Sequence, residues 1–563
     1  MMGNGRQDAA PTFISSFFLV FRQSALILLQ PRVPMHAQTL RFIFTAAIFL
    51  FLTFYTENGW AAEQIINKSN GTVIESLTEY EAGDTIRITG GRLTEEDWAE
   101  LRKMWTIPFH LILDNGQSEI PDMALSSSGT VPVPVISITG HDVMNIGSFV
   151  FANNNYLTSA DFPSLKSLGR MAFFSCMSLR EFLLPKSLET LGDGAFAMCQ
   201  KLMSISISEG NTRFISPGGV LYSADGRTLY AYPAGKLQRE YVCDAADIRP
   251  FSFYGAENLE RVSFSNAESI GNGTFVSCLR LTDIALPESL KVIGQGAFDS
   301  CISLTAITLP SSLELIGDGA FSYCERLRSI SATENSKNFN STDGVLYSAD
   351  GEILYVYPAG KSNSGFTSNV REVKPYAFMY AGNLQTVTLP YAASLGEGAF
   401  AWCSSLTAAS LPMANTFGNG AFAWCVSLKL MEIGNLLPAI ESKTFTSDEA
   451  FLIVTQTAPS NFDLSNWPAN KIAALRGTAT LGPVVLDRED TLILSLEIDG
   501  AADYRWKKGG ILIKINDANE ATYVRANSTE EDSGTYSVTF KYDLGSGPAD
   551  IEIKGIEVVV TAF

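Results

Sequence analysis

One short pattern, Gly-x-Gly-Ala-Phe-x-x-Cys in its fullest form, recurs along the middle of this chain. The unit 293–315, IGQGAFDSCISLTAITLPSSLEL, shows its usual length of 23 residues. A unit this short cannot bury its own apolar residues, so the copies must stack on one another into a continuous solenoid. Ten copies are recognised by their phenylalanine: Phe151, Phe173, Phe196, Phe253, Phe275, Phe298, Phe321, Phe378, Phe400 and Phe422.

The apolar residues within a unit predict one β-strand per rung. Leu304, Ile307 and Leu309 fall where the side chains point inward, and the proline that follows ends the strand. The glycine pair permits a turn that needs positive φ or close backbone approach, and the phenylalanine closes the convex side. A period of about 20–29 residues with an L-x-x-L-x-L core is typical of leucine-rich repeats, which form a horseshoe.

A longer repeat of 125 residues lies on top of the short one. The insertion GVLYSADGRTLYAYPAGK (219–236) returns as GVLYSADGEILYVYPAGK (344–361). Alternating apolar residues on both sides of SADG predict a β-hairpin in each insertion. The insertion tyrosines either cover the solenoid where a rung is interrupted, which we favour, or face solvent as an aromatic platform. They are Tyr222, Tyr230, Tyr232, Tyr347, Tyr355 and Tyr357.

The full frame, L-x-x-I-x-L-P-x-x-L-x-x-I-G-x-x-A-F-x-x-C, resembles that of BspA-like leucine-rich repeat proteins, also called the Treponema pallidum type. The resemblance covers roughly residues 140–445, including both insertions. The copy IGSFVFANN (146–154) departs most, since it lacks the second glycine, the alanine and the cysteine. The resemblance implies an exported or surface protein of a host-associated bacterium, and in some members an adhesin. A fold hosts many functions, so this implication is an analogy.

Repetition argues against a chemical role for the motif. A phosphate-binding loop needs a following Lys and Ser/Thr at a helix N-terminus, whereas Ala-Phe follows here in most rungs. Seven cysteines share one slot, three residues after the phenylalanine, which Asn154, Ala256 and Ala381 fill in the other rungs. We therefore expect a small buried slot with reduced thiols, and disulfides between adjacent rungs remain the alternative. The seven are Cys176, Cys199, Cys278, Cys301, Cys324, Cys403 and Cys425; Cys243 lies outside the frame, opposite Ser368 in the duplicate.

Composition excludes several classes of function. The chain holds 40 Lys and Arg against 59 Asp and Glu, a net charge of −19 that repels nucleic acid, and it has no basic run. Its three histidines, His36, His110 and His141, are too few and too scattered for a metal cluster. No nucleophile–base–acid set can be assembled, so we expect no catalysis, no metal and no small-molecule cofactor. Carbohydrate processing remains a third hypothesis that no residue set supports.

The N-terminus is typical of an export signal. MHAQTLR (35–41) is a short basic region and FIFTAAIFLFLTFY (42–55) an apolar one, with Gly59 and Ala61 positioned for cleavage after Ala61. We predict a leader, 1–61, whose true start is Met35; a membrane-anchored N-terminus is the competing interpretation. No cysteine precedes Cys176, so a lipid-modified cysteine at this site is excluded. Residues 62–139, with a helix opened by Thr94 and a strand FHLILD, are predicted to form an N-terminal cap.

The repeat frame fades after 433, and we predict a linker or C-terminal cap over 446–482. Residues 483–563 alternate like strands, and EDSGTYSV (531–538) resembles the corner of immunoglobulin domains. Tyr536 stands at the corner tyrosine and Trp506 at the core tryptophan. Val538 replaces the second cysteine, and Leu494 or Leu496 the first. We predict a small cysteine-free immunoglobulin-like sandwich; another small β-sandwich is the alternative.

Strand residues that flank the buried leucines and isoleucines predict a binding surface on the concave face. These side chains are mostly short and polar, which suits an extended protein or glycan ligand held by many weak contacts. The alternative is that they form only the solvated side of a sheet. The candidates are Ser159, Asp161, Glu181, Ser204, Ser206, Arg261, Ser263, Asp283, Thr308, Ser329, Ser331, Thr386, Thr388, Ser410 and Glu432.

These observations predict an exported, non-enzymatic binding or adhesion protein, displayed at the cell surface or secreted. In a Gram-negative bacterium it would lie in the periplasm or at the outer surface. The repeats, 140–445, would bind a protein or glycan partner on the host matrix or another cell, and not nucleic acid. The immunoglobulin-like part would act as spacer or second contact. The alternative is a structural envelope protein that assembles with copies of itself.

Overall fold

A computed structural model describes residues 61–68, 80–103, 107–126, 133–434, 438–440, 443–445, 451–455, 472–476, 484–487, 491–495, 502–513, 521–543 and 548–561. The chain divides into two units, Met1–Ala62 and Glu63–Phe563, and every described strand lies in the second. Apart from Ala61, the predicted leader lies outside the described residues. Among the described residues, no helix is long and apolar enough to cross a membrane.

Long parallel strands, one per rung, run through the described part of the chain in five successive groups. Parallel pairing in exact rung register places equivalent residues of neighbouring units side by side, as a solenoid requires. The first group is Glu63–Asn67, Thr85–Thr89, Phe109–Asp114, Val135–Thr139 and Ser159–Asp161, followed by Glu181–Leu184 and Ser204–Ile207. The next are Glu240–Cys243, Arg261–Phe264 and Asp283–Ala285, then Ala306–Leu309 and Ser329–Ala332. The last is Gly365–Thr367, Thr386–Thr388, Ala408–Leu411, Leu430–Ile433, Phe451–Thr455 and Ile472–Arg476.

A second set of short strands forms the other wall of the solenoid. Each predicted insertion adds an antiparallel hairpin to this wall, and the second strand of the hairpin pairs in parallel with the short strand of the next rung. The first group is Glu119–Ile120, Asn145–Ile146, Ser167–Leu168 and Thr190–Leu191. The second is Phe214–Ile215, Leu221–Ser223, Thr228–Ala231, Asp247–Ile248, Ser269–Ile270, Val292–Ile293 and Leu315–Ile316. The third is Phe339–Thr342, Val345–Ser348, Ile353–Val356, Glu372–Val373, Ser394–Leu395, Thr416–Phe417 and Ala439–Ile440.

The core lies between the two walls and follows the predicted alternation. In the strand Ala306–Leu309, Ile307 and Leu309 are buried while Ala306 and Thr308 are exposed. The buried residues form three successive clusters that meet at the two hairpins. Hairpin residues join the clusters on both sides, since Leu221 belongs to the first and Val220 to the second. The hairpins therefore connect the segments of the solenoid.

The two glycines of the motif have different roles, which one rung illustrates. A Cβ at Gly317 would lie 2.6 Å from the Cα of Gln295 in the previous rung, so the first glycine allows close stacking of turns. Gly319 has a φ of +63°, so the second glycine supplies the left-handed turn. Both predicted reasons, positive φ and close backbone approach, are confirmed, each at its own position.

The motif phenylalanines stack on one another inside the turns. Phe275 and Phe298 have ring centroids 5.3 Å apart and planes 2° from parallel. After each hairpin insertion, a tyrosine of the insertion occupies the place next to the first phenylalanine of the following rungs. Tyr232 lies 5.0 Å from Phe253, and Tyr357 lies 4.9 Å from Phe378. Both tyrosines are buried, as is Tyr222. The insertion tyrosines thus cover the interrupted rungs, and the alternative of a solvent-facing platform is wrong.

Residues 62–139 contain the predicted helix and strand. The helix Glu95–Leu101 is capped by Thr94, whose hydroxyl accepts from the backbone N–H of Asp97 while the Asp97 carboxylate accepts from the N–H of Thr94. The strand Phe109–Asp114 pairs in parallel with its neighbours on both sides. The segment therefore contributes rungs to the long-strand wall, and its role as a cap stays a prediction.

The wall also continues into the predicted linker. The strand Phe451–Thr455 pairs in parallel with Leu430–Ile433 and with Ile472–Arg476. The repeat phenylalanines continue too, because Phe445 stacks on Phe422 at 5.6 Å. The solenoid therefore extends past the last motif copy that the sequence pattern reveals.

The C-terminal residues form two sheets that share one buried cluster. Trp506 is fully buried there and pairs in register with Val538, while Leu494 is contributed by the smaller sheet. The Tyr536 hydroxyl donates to the backbone oxygen of Asp532 at 2.8 Å, as the predicted corner requires. The assignment to the immunoglobulin class stays a prediction. The strands are Val484–Asp487, Leu492–Ser495, Ala502–Lys508, Ile511–Leu512, Thr522–Arg525, Gly534–Asp543 and Pro548–Thr561.

Candidate functional site

The outward side of the long strands, here called the long-strand face, holds all fifteen predicted binding residues. Its residues are set two apart along each strand and in register between strands, so they form two continuous rows. Ser204 and Ser206, for example, pair with Glu181 and Leu183 of the rung before. The structure brings the candidates together into one surface, but it does not leave all of them accessible.

The face is open from Ser159 to Ser331. Its exposed charges are four carboxylates and one guanidinium, Arg261. Arg261 pairs with Glu240 across the rungs and has Asp283 on its other side. The open face is therefore acidic, and it forms a broad surface lined by serine and threonine. The four carboxylates are those of Asp161, Glu181, Glu240 and Asp283.

Two large apolar side chains also lie on this open face. Neither is among the fifteen predicted binding residues. Leu183 is 58% exposed and Val242 is 64% exposed. They lie beside Ser206 and Ser263 in strand register. Leu183 follows Glu181 by two residues, and Val242 follows Glu240 by two. Residues two apart in a strand point to the same side, so this spacing could have identified both. Exposed aliphatic groups within a polar surface provide contacts that a partner can desolvate.

The face is largely closed over the strands Thr386–Thr388, Ala408–Leu411 and Leu430–Ile433, which corrects part of the prediction. Thr386 is 2% exposed and Ser410 is 5% exposed, so neither is available at the surface. Every residue of the strand Ala408–Leu411 is buried, and Ala408 and Leu430 belong to the C-terminal cluster that contains Trp506. The strand Pro548–Thr561 packs against the strands Gly365–Thr367 and Thr386–Thr388. Coverage by the C-terminal sheets is the physical reason for the burial.

Thr388 and Glu432 lie at the edge of the covered region. Both are partly exposed, and the Glu432 carboxylate accepts a hydrogen bond from the Ser410 hydroxyl at 2.5 Å. This bond compensates for the burial of the hydroxyl, which would otherwise lose its water without a partner. Glu432 therefore serves this internal contact, and both residues are only marginal parts of the surface.

The two described histidines have ordinary structural surroundings. His110 shares a hydrogen bond of 2.6 Å with the hydroxyl of Ser137, and burial lowers the pKa of its imidazole. His141 is largely exposed and lies 3.5 Å from Asp114. Within the described part of the chain, no group of three or more His, Cys, Asp and Glu side chains could hold a metal ion.

The motif cysteines are buried, as predicted, and they have a role that sequence reasoning missed. Each thiol donates to the carbonyl oxygen of the phenylalanine in the rung before, at 3.0–3.3 Å. In the first copy Asn154 fills the slot and donates its amide to the oxygen of Val135 at 3.1 Å. All eight cysteines are free. Burial raises the pKa of Cys243 to about 11 and that of Cys403 to about 12, which disfavours the reactive thiolate.

This architecture has one long and one short parallel strand per turn, around a core of leucine, isoleucine and stacked phenylalanine. It defines the chain as a leucine-rich repeat solenoid with an open strand face. The sequence profile described as BspA type leucine rich repeat region matches six copies, over residues 120–217, 246–343 and 361–456. These matches cover more than half of the chain, which therefore belongs to the BspA-type leucine-rich repeat family.

Several solved structures are similar to the chain. One is a leucine rich cell surface protein from Faecalibacterium prausnitzii A2-165, with 24% identity over 60% of this chain and 76% of that chain and a TM-score of 0.35. A leucine-rich repeat protein from Eubacterium ventriosum ATCC 27560 has 18% identity over 60% and 82%, with a TM-score of 0.37. A T. pallidum leucine rich repeat protein has 26% identity over 39% and 89%, with a TM-score of 0.22. No curated protein matches the chain.

Proposed function

We propose that this chain is an exported, non-enzymatic binding protein that holds a protein partner on its open long-strand face. The observation that carries the proposal is the contrast between the two parts of that face. Over Ser159–Ser331 it is open, acidic and interrupted by Leu183 and Val242, whereas at Thr386 and Ser410 it is buried. A solenoid surface of this kind binds extended partners through many contacts.

The chemistry of the open face indicates the type of partner. Four exposed carboxylates and one guanidinium leave it negatively charged, so a basic protein surface would be attracted and correctly oriented. Leu183 and Val242 would supply the apolar contacts that such a surface excludes from water. An exported chain would meet such a partner on the host matrix or on another cell.

The test begins with residues 62–563 on an array of purified extracellular matrix proteins and glycans. The variants Asp283→Lys and Leu183→Asp change the open face, while Glu314→Lys makes the same charge change as the first at an exposed position off the long strands. We expect the two face variants to weaken protein binding by more than about tenfold and Glu314→Lys to leave it unchanged.

Two results would contradict the proposal. Equal binding by all three variants would place the partner elsewhere on the chain. Loss of glycan binding alone would replace the protein partner with a carbohydrate. Circular dichroism on each variant ensures that a loss of binding is not a loss of fold.

A further inference from the structure

The second residue after each motif phenylalanine has a left-handed backbone. Its φ lies between +56° and +78° in all ten copies. Glycine and small polar residues accept this conformation at low cost, and a large side chain there is unusual. Six copies have Asn153, Ser175, Met198, Gly255, Ser277 and Ser300 at this position. The last four carry aromatic residues instead, namely Tyr323, Tyr380, Trp402 and Trp424, here called the aromatic ladder.

The ladder rings form one continuous stack. Ring centroids are 4.5 Å apart for Tyr323 and Tyr380, 5.6 Å for Tyr380 and Trp402, and 4.9 Å for Trp402 and Trp424. Tyr323 and Tyr380 are separated in sequence by the whole second insertion, which therefore does not interrupt the stack. Exposure rises toward the far end, since Trp402 is 37% and Trp424 is 47% exposed.

The turn itself does not require these rings. The three rungs that follow the first insertion correspond to the rungs of Tyr380, Trp402 and Trp424, which follow the second. At the same position they have Gly255, Ser277 and Ser300, with the same backbone conformation. The fold is therefore built equally well with small residues. Large aromatic side chains that a turn does not need, in a conformation that disfavours them, indicate a role at the surface. Tryptophan and tyrosine are also the residues most enriched at binding hot spots.

The ladder lies apart from the long-strand face. The residues that carry it belong to the turns between a short strand and the next long strand, as Trp402 does between Ser394–Leu395 and Ala408–Leu411. Variants of the open long-strand face therefore leave the ladder unchanged, and the two surfaces can be tested separately.

Two acidic side chains interact with the tyrosine end of the ladder. Burial raises the pKa of Tyr323, and the charges of Tyr380 and Asp299 raise it further. Burial and the carboxylate of Glu325 likewise raise the pKa of Tyr380. The Asp299 carboxylate accepts from the Ser300 hydroxyl at 2.6 Å. The tyrosine end thus combines apolar ring edges with two carboxylates.

We propose that the aromatic ladder is a second binding surface, which takes an extended segment of a partner protein with arginine or lysine set among apolar side chains. The ring edges, with their hydroxyl and N–H groups, suit the apolar side chains and backbone of such a segment. Asp299 and Glu325 complement its basic side chains. This site does not depend on the function proposed for the long-strand face.

The test uses residues 62–563 and three synthetic peptides, with Arg-Leu-Gly, Ser-Leu-Gly and Glu-Leu-Gly repeats, in isothermal titration calorimetry. The triple variant Tyr380→Gly, Trp402→Ser and Trp424→Ser installs the residues of the preceding block. These substitutions change no charged residue, so any general attraction of a basic peptide is retained. We expect it to bind the Arg-Leu-Gly peptide at least about tenfold more weakly than the parent.

A second variant separates charge from ring contact. Asp299→Asn with Glu325→Gln should weaken binding of the Arg-Leu-Gly peptide and leave binding of the Ser-Leu-Gly peptide unchanged. Glu314→Lys, at an exposed position outside both surfaces, should affect neither. Unchanged peptide binding by the triple variant would overturn the proposal. So would a ladder-dependent affinity for a cello- or chito-oligosaccharide without one for the Arg-Leu-Gly peptide, because the ladder would then be a glycan site.

Discussion

The thiol of Cys301 donates a hydrogen bond to the carbonyl oxygen of Phe275, one rung earlier in the solenoid, over 3.3 Å. The same pair of groups meets in seven rungs, so the cysteine slot joins each turn to the one before it. Cys301 is fully buried, and burial raises the pKa of its thiol well above the usual value. The cysteine is therefore a small donor within the core.

Replacing Cys301 with alanine should lower the free energy of unfolding by about 1–2 kcal/mol, because a buried carbonyl loses its donor and a small cavity opens. Urea unfolding followed by circular dichroism measures the change. Ala256 and Ala381 occupy the cysteine slot in two other rungs, so alanine fits there and the variant should fold. A midpoint equal to that of the parent would mean that the thiol hydrogen bond adds nothing.

The native thiols should resist alkylation at mildly alkaline pH. Burial raises the pKa of the Cys301, Cys403 and Cys425 thiols, so they stay protonated at a pH where a free cysteine, with a pKa of about 8.5, ionises. Iodoacetamide at pH 8 should label the folded chain slowly and the urea-unfolded chain rapidly, as followed by mass spectrometry. Rapid labelling of Cys301 in the folded chain would contradict this account.

Alanine substitution should separate the two glycine roles. Gly317→Ala places a Cβ against the Gln295 backbone and should destabilise by about 1–3 kcal/mol or more, since backbone cannot move aside. Gly351 has a φ of +75° with open space around it, so Gly351→Ala should cost only the left-handed backbone, about 1 kcal/mol. Urea midpoints compare the two. A smaller effect at Gly317 than at Gly351 would refute the close-stacking explanation.

The C-terminal sheets should loosen when their contact with the solenoid is disrupted. Leu430 is fully buried in the cluster that contains Trp506, so Leu430→Asp puts a charge into that contact. Hydrogen exchange should rise in Ala502–Lys508 and Gly534–Asp543. The matched change Leu183→Asp on the open face should leave these strands unaffected. Equal exchange in both variants would show that the contact is weak.

The first helix should lose stability in acid. Burial alone would raise the pKa of Asp97, but hydrogen bonds from Thr94 and the ion pair with Lys68 at 3.0 Å outweigh it, and the net shift is downward. The stabilisation is therefore complete above the unfolded pKa of about 3.9 and is lost as the pH falls through the folded value. Hydrogen exchange of Glu95–Leu101 should be faster in Asp97→Asn at pH 7, and the difference should shrink toward pH 3. A constant difference would contradict the ionised cap.

Much of the fold follows from local pattern, and this part could be predicted. The alternation around Ile307 places it inward, and the glycines of the motif mark its turn, because these preferences depend on a few neighbouring residues repeated in each rung. The slot shared by Cys, Ala and Asn is buried for the same reason. The corner hydrogen bond of Tyr536 also follows from a local sequence pattern.

The candidate surface was only partly predictable. Sequence placed Thr386 and Ser410 on the same face as Arg261 and Asp283, and register confirms that placement. Their burial comes from the C-terminal strands, from Leu492 onward, which no repeat pattern contains. Leu183 and Val242 were missed because the candidates were chosen mainly for polar side chains, although the same alternation places both residues on that face.

The sequence by itself determined the structure of a single rung. The length of the rung, its inward-facing residues, its turn and its stacking on the next rung all depend on a repeat period that the sequence shows directly. The tertiary structure decided which rungs stay accessible and which side chains meet across the insertions. Tyr323 and Tyr380 become neighbours, and Tyr232 and Tyr357 complete the phenylalanine stack, only because the hairpins fold into the wall. Contacts between residues so far apart in the chain depend on packing, and the local pattern does not encode them.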